Sequence, residues 1–206
     1  MQALNGKFWL RFKGDKVNIE LGDFYSSFGF GMALALNRNV EVDIDTSLQG
    51  VRFKWSPGSW ELEALAGQMN RQQVFQDNPN RGIFSDYRHF VGGLRLTRYG
   101  LGPGDLSIHG VVYNFAEKGG IGGGFEAMGT APDLIVGGVN AQLYGVLGMD
   151  WGLEADIYGY PDAEGFTGEA GRIGYTMYAS STAYIGTTSW LFELRKYKDH
   201  QYANYV

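Results

Sequence analysis

The stretch Val51-Arg52-Phe53-Lys54-Trp55-Ser56-Pro57-Gly58-Ser59-Trp60-Glu61-Leu62-Glu63-Ala64 decides the fold. On either side of Ser56-Pro57-Gly58-Ser59, apolar and charged residues alternate, the period of a strand whose two faces see different surroundings. Pro57 and Gly58 supply turn chemistry. A tight loop over residues 56–59 sets Trp55 opposite Trp60, Lys54 opposite Glu61, Phe53 opposite Leu62 and Arg52 opposite Glu63. Every apolar residue then lies on one face, and two cations meet two carboxylates on the other. Such cross-strand pairs contribute roughly 0.2–1 kcal/mol each.

Working outward, the pattern repeats. Phe8, Leu10 and Phe12 alternate with Trp9, Arg11 and Lys13, and Val17, Ile19 and Leu21 with Lys16, Asn18 and Glu20. Gly14-Asp15 reads as a two-residue hairpin turn. It pairs Phe12 with Val17 and Leu10 with Ile19, and leaves Arg11 opposite Asn18 and diagonal to Glu20. Further on, Leu94 and Leu96 oppose Arg95 and Thr97. Leu106 and Ile108 oppose Ser107 and His109, and Val139 and Ala141 oppose Asn140 and Gln142. Leu153, Ala155 and Ile157 oppose Glu154 and Asp156, and Trp190, Phe192 and Leu194 oppose Glu193 and Arg195. Short turns near Gly14, Pro57, Pro103, Gly145 and Gly186 alternate with long polar loops near Asn78, Gly122 and Glu164. The strand candidates run to ~9–11 residues, the length that crosses a bilayer at a tilt.

Two segments stand apart. Residues 23–37 carry bulky side chains at even positions (Phe24, Phe28, Phe30, Met32, Leu34, Leu36) and small ones at odd positions (Ser27, Gly29, Gly31, Ala33, Ala35). This reads as a strand with one bare face lying under a neighbouring segment. Glu41, Asp43 and Asp45 recur at strand spacing, but side chains two apart lie ~6.6 Å from each other. That is too far for three ligands on one calcium, so they read as a solvated acidic face.

Composition excludes several classes. There is no cysteine, which removes thiolate metal sites and disulfide scaffolds. Net charge is −5 and no basic run occurs, which argues against a nucleic-acid partner. No apolar run approaches the ~20 residues of a spanning helix, although a mean hydropathy of −0.21 leaves a β-barrel open. Met1-Gln2-Ala3-Leu4-Asn5-Gly6 does not resemble a signal peptide.

No catalytic constellation emerges. His89, His109 and His200 fall in unrelated segments without zinc spacing. His109 beside Ser107 mimics a base and a nucleophile but lacks a nucleophile elbow and an orienting carboxylate. Glu61 with Glu63, or Glu154 with Asp156, stand at same-strand spacing of ~6.6 Å, near the inverting-glycosidase range. Any alternating strand offers that geometry. The glycine-rich run 119–124 lacks the βαβ setting of a dinucleotide site. The reading is therefore a non-enzyme without cofactor or metal.

Period-two patterns suit a soluble sandwich or a membrane barrel alike. The alternation of short and long connections favours the barrel, as do the absence of helical patterns and the charges in mid-strand. Aromatics at strand ends (Trp55, Trp60, Tyr99, Tyr144, Trp151, Tyr160) match an interfacial belt. The run from Gly22 to Leu36 also resembles a segment of uncharacterised Gram-negative outer-membrane β-barrel proteins, which tend to carry a Glu-x-x-Lys-x-Tyr run such as Glu193 to Lys198 approximates. The resemblance implies an outer-membrane location, longer members with a signal sequence and no known catalytic residues. This chain ends in Tyr205-Val206 rather than a terminal aromatic.

The expectation is an all-β, antiparallel, up-and-down transmembrane β-barrel, or part of one, with about ten strands. Residues 1–206 form a single domain, incomplete at one or both ends. Its function is porin-like transport of small solutes, its partner the lipid bilayer; the alternative is a soluble or surface-attached glycan-binding sheet. Arg11, Glu20, Arg52, Lys54, Glu61, Glu63, Glu154, Asp156, Glu193 and Arg195 line its interior, and Trp55 and Trp60 sit by a periplasmic turn. Replacing Phe53 by Arg is expected to disrupt membrane assembly, by roughly 2–4 kcal/mol near the midplane, while Lys54→Gln leaves assembly largely intact. Heat-modifiable migration of the two variants measures this, and equal tolerance refutes the inside-out assignment.

Overall fold

Residues whose side chains alternate between two environments can satisfy their backbone only by pairing with strands that alternate in step. Ten segments of this chain do so. The structure, a computed structural model, describes residues 8–36, 38–39, 44–69, 90–114, 133–160 and 172–198. Its strands are β1 (Trp9–Lys13), β2 (Val17–Phe24), β3 (Ser27–Phe28), β4 (Leu34–Ala35), β5 (Arg38–Asn39), β6 (Ile44–Asp45), β7 (Leu48–Trp55), β8 (Trp60–Met69), β9 (Phe90–Leu101), β10 (Gly104–Asn114), β11 (Leu134–Val146), β12 (Met149–Tyr160), β13 (Arg172–Ile185) and β14 (Thr188–Lys198). Among the described residues there is no helix.

The main sheet is a ten-stranded antiparallel meander in the order β1-β2-β7-β8-β9-β10-β11-β12-β13-β14. Five short connections lie at one end, and the chain recrosses at the other end between β2 and β7, β8 and β9, β10 and β11, and β12 and β13. β1 and β14 are the two edges and do not pair with each other, so the sheet is open. The expected loops at 70–88, 117–132 and 161–171, together with Glu41, Asp43, His89 and His200, lie outside the described residues.

Both predicted hairpins form, each with its register moved by two residues. Trp55 faces Leu62, Lys54 faces Glu63, Phe53 faces Ala64 and Arg52 faces Leu65. The cause is the turn. Trp60 N donates to Pro57 O at 3.4 Å, so the central pair is Gly58-Ser59 rather than Pro57-Gly58. Gly58 takes φ +67 at the first central position, a left-handed conformation that favours glycine there. Likewise Gly14 N donates to Val17 O at 2.7 Å, which centres the first turn on Asp15-Lys16. Arg11 therefore faces Glu20 directly, and Leu10 faces Leu21. A two-residue shift leaves every side chain on its expected face.

The run 23–37 departs from expectation. It is not a strand beneath a neighbour. β2 ends at Phe24, and residues 25–36 then turn in and lie across one face of the sheet, folded on themselves by the two-residue pair β3–β4; a second two-residue pair, β5–β6, follows in the chain. Phe28, Ala33, Leu34 and Leu36 are buried there, with Phe24, Leu48, Leu65, Val91, Val111, Tyr113, Leu134, Val136 and Tyr158. The covered face is called inward below. The small odd-numbered residues let this segment come down onto the sheet: a Cβ on Gly29 would overlap the Glu154 carboxyl.

The outward face is apolar through its middle, and among the described residues nothing covers it. One row runs Val17, Trp55, Leu62, Leu96, Ile108, Val139, Ala155, Met177 across eight adjacent strands. Ile108 is 51% exposed, Val139 47% and Met177 53%. Glycines align inward at Gly22, Gly50 and Gly67, and a Cβ on Gly50 would overlap the backbone of Ala66 and Gly67. Such close approach marks a tight bend of the sheet. Gly50→Ala is accordingly expected to cost about 1–3 kcal/mol, read as a lowered urea midpoint. An unchanged midpoint would mean the bend tolerates a side chain.

Candidate functional site

Directly behind the apolar outward row lies an inward row of opposite character. Across ten strands it reads Lys13, Asn18, Lys54, Glu63, Arg95, His109, Gly138, Asp156, Thr176, Tyr197. The next inward row toward the short turns is polar as well: Glu61, Thr97, Ser107, Asn140, Glu154, Tyr178, Arg195. The row on the other side passes from Arg11, Glu20 and Arg52 to Leu65, Gly93, Val111, Val136 and Tyr158. The folded-in segment packs on this apolar part. The interior is thus greasy toward the long connections and polar toward the short turns.

The polar part holds two clusters. The first centres on Glu63, whose side chain is fully buried. Arg52 Nε donates to its Oε1 at 2.6 Å and Arg95 Nη2 to its Oε2 at 2.5 Å. Lys54 Nζ stands 3.4 Å from Oε2, and Ser26 of the folded-in segment donates to Oε1 at 2.8 Å. Arg52 also reaches Glu20 at 3.1 Å, which Arg11 meets at 2.5 Å. Glu61 lies 3.6 Å from Lys54 and 3.3 Å from Arg95. Alternation puts these charges on one face, and register brings carboxylates between cations.

The second cluster joins His109 of β10 to Glu154 and Asp156 of β12. His109 and Asp156 flank Gly138 in the inward row and reach across it, leaving His109 Nε2 2.7 Å from Asp156 Oδ1. A Cβ on Gly138 would overlap both atoms. Thr176 Oγ1 donates to Asp156 Oδ2 at 3.1 Å, and the Phe30 amide donates to Glu154 Oε2 at 2.5 Å. Glu154 Oε1 lies 4.0 Å from His109 Nε2, and the side chains of all three residues are fully buried. One ligand atom from each lies within 4.8 Å of the others, a spacing that can hold a metal ion. Phe28 separates the clusters, 5.3 Å from the Arg95 guanidinium and 6.2 Å from the His109 ring.

The folded-in segment is pinned by side chains of five strands. Ser26 bonds Glu63 of β8, and Arg95 of β9 donates to Ser27 O at 3.2 Å. Tyr113 of β10 donates to Ala33 O at 2.6 Å and Tyr158 of β12 to Met32 O at 2.8 Å. The Phe30 ring packs 5.0 Å from that of Tyr178 on β13.

Eight of the ten predicted interior residues fall into the two clusters. Glu193 and Arg195 share the inward alternation but stand on edge strand β14, 40% and 47% exposed, with Tyr178 donating to Glu193. Among the predicted interfacial aromatics, Trp55 and Trp60 are outward and about half exposed, and Trp151 is half-buried with Nε1 donating to Val146 O at 3.0 Å. Tyr99 and Tyr144 share the inward alternation near the short turns, with Tyr144 donating to Asp105. Tyr160 requires correction: it is buried on the inward face, opposite Arg172 at the far end of β12. Ser107 does not bond His109; its hydroxyl meets Thr97 at 2.9 Å. The partnership of His109 with Asp156 was not read from sequence, since 47 positions separate them; Gly138, midway across the sheet, was the available signal.

Residues 3–88 match a family described as a family of unknown function (DUF6029), a span that takes in the folded-in segment and less than half of the chain. No curated protein and no solved structure matches.

Removing the charge of Glu63 leaves the half-buried Arg52, Lys54 and Arg95 crowded together with only Glu20 and Glu61 to offset them. Glu63→Gln is expected to cost about 3–5 kcal/mol, whereas Arg195→Ala, which breaks an exposed pair, costs at most about 1 kcal/mol. Chemical unfolding of both variants measures the contrast, and similar midpoints would refute the central place given to Glu63.

Proposed function

We propose that this chain forms the wall of an outer-membrane β-barrel with a porin-like role in passing small solutes, stoppered by its own segment 25–36. The observation that carries this reading is the pair of back-to-back rows. Eight adjacent strands present an uninterrupted apolar row outward, and the row behind it is polar throughout apart from Gly138. In water that outward face is a liability; against acyl chains it is the required surface. The glycan-binding alternative needs a second sheet packed on the apolar face, and among the described residues nothing covers it.

Strands β8 to β14 have 10 to 14 residues, enough to cross a hydrocarbon core at a tilt. Edge strands β1 and β14 must gain partners in that setting, because unpaired backbone groups in hydrocarbon cost several kcal/mol each. They pair with each other or with strands supplied from elsewhere. In this reading the chain acts as wall and stopper, not as an enzyme, and passage requires segment 25–36 to shift.

Cell fractionation tests the wall: the protein is expected in the detergent-extracted outer membrane with heat-modifiable migration, and recovery as a detergent-free soluble protein would refute it. Planar-bilayer recording tests the stopper. Wild type is expected to open rarely, and Tyr113→Phe combined with Tyr158→Phe, which releases two backbone carbonyls of the segment, to open more often. A folded barrel that is silent in both forms would remove the transport role.

A further inference from the structure

We propose that His109, Glu154 and Asp156 form a binding site for one divalent transition-metal ion, with Zn²⁺ the best-fitting candidate. The two clusters differ in charge balance. The Glu63 cluster matches three carboxylates, Glu20, Glu61 and Glu63, with four cations. The second cluster buries two carboxylates completely, and among the described residues the one basic group ion-paired with either is His109. Burying a carboxylate without a compensating charge is costly.

The hydrogen bonds leave a gap of a defined shape. Asp156 Oδ2 is taken by Thr176 and Glu154 Oε2 by the Phe30 amide. The second oxygen of each carboxylate turns toward His109 Nε2, Asp156 Oδ1 at 2.7 Å and Glu154 Oε1 at 4.0 Å. Glu154 Oε1 is buried and has no hydrogen-bond partner. An N–H on Nε2 serves Asp156 and leaves Glu154 Oε1 unserved; a cation between the three atoms serves both carboxylates at once. Tetrahedral ligands about 2.1 Å from zinc stand about 3.4 Å apart, and the two observed separations bracket that value. One imidazole with two carboxylates favours zinc and its first-row neighbours over calcium or magnesium, which prefer all-oxygen shells.

The surroundings are built for the cluster. Gly138 has no side chain where a Cβ would force His109 from Asp156, and Gly29 has none where a Cβ would overlap the Glu154 carboxyl. A bound ion ties β10 to β12. Through Glu154 Oε2 and the Phe30 amide it also fixes the folded-in segment, so occupancy favours the stoppered state.

The test uses the untagged full chain, folded in detergent, stripped with chelator and dialysed against Zn²⁺, with Ca²⁺ as the control. Elemental analysis is expected to find one Zn²⁺ per chain and no retained Ca²⁺. His89→Ala combined with His200→Ala keeps the ion, whereas His109→Ala weakens Zn²⁺ binding at least about 100-fold. Glu154→Gln preserves shape and guards against a folding defect in His109→Ala. Zn²⁺ is expected to raise the temperature of the heat-modifiable transition in wild type by mass action and to leave Glu154→Gln unmoved. Folded wild type that retains no Zn²⁺ overturns the site, and so does His109→Ala that binds as wild type does. The measurement needs a folded chain but not a membrane location, so failure here leaves the wall reading standing.

Discussion

One buried carboxylate ties the architecture together. Glu63 on β8 receives Arg52 and Lys54 from β7, Arg95 from β9 and Ser26 from the folded-in segment. Four chain segments therefore meet at a single side chain. A buried carboxylate is tolerable only with close cationic partners and filled lone pairs, and these partners sit at fixed places along two strands and the folded-in segment. Sliding β7 or β9 by two residues would keep every side chain on its face and still break this cluster. Hydrophobic alternation selects the face, and Glu63 selects among the registers that alternation permits. By holding Ser26 it also joins the folded-in segment to the same choice.

That division explains what could be read from the sequence. Face assignment depends on parity alone, so the outward Phe53, Leu96 and Ile108 and the inward Arg52, Glu63, Glu154 and Asp156 were legible. The meander was legible too, because turn residues punctuate it at regular intervals. Register was not, since a two-residue shift is invisible to a period-two pattern and depends on which position of the turn Gly58, with its positive φ, occupies. Residues 23–37 misled for a related reason. Alternating large and small residues describe a strand with a bare face equally well as a segment that must lie close on a sheet. Only the partners, Gly93 beneath Phe28 and Glu154 beneath Gly29, distinguish the two. Tyr160 was misplaced because an aromatic near a strand end fits an interface and a capped interior alike. The His109–Asp156 pair needs the registers of two strand pairings at once.

The interior divides along the strand axis. Toward the long connections, Phe28, Leu34, Val91, Val136 and Tyr158 make a dry core that depends on chain from outside the meander. Toward the short turns, both inward rows are polar. Residues 25–36 give the inward rows an apolar filling where they are apolar and hydrogen-bond partners where they are polar. Among the described residues the outward apolar face has no such cover.

Open edges bear on the same point. Every residue of β1 and of β14 is exposed, and both strands carry large apolar side chains, Phe12 and Leu10 on one, Trp190, Phe192 and Leu194 on the other. Soluble proteins blunt such edges with charge, proline or a covering element. Here Arg11, Glu193 and Arg195 continue the inward rows, whereas Lys196 of β14 stands beside Met177 at the end of the outward apolar row. Arg11 extends the Glu20–Arg52 series from β1, and Arg195 extends the Glu154–Tyr178 series from β14. The inward rows thus stay polar to the last strand, while the outward row ends there in a lysine, a charge of the kind that discourages edge-to-edge pairing.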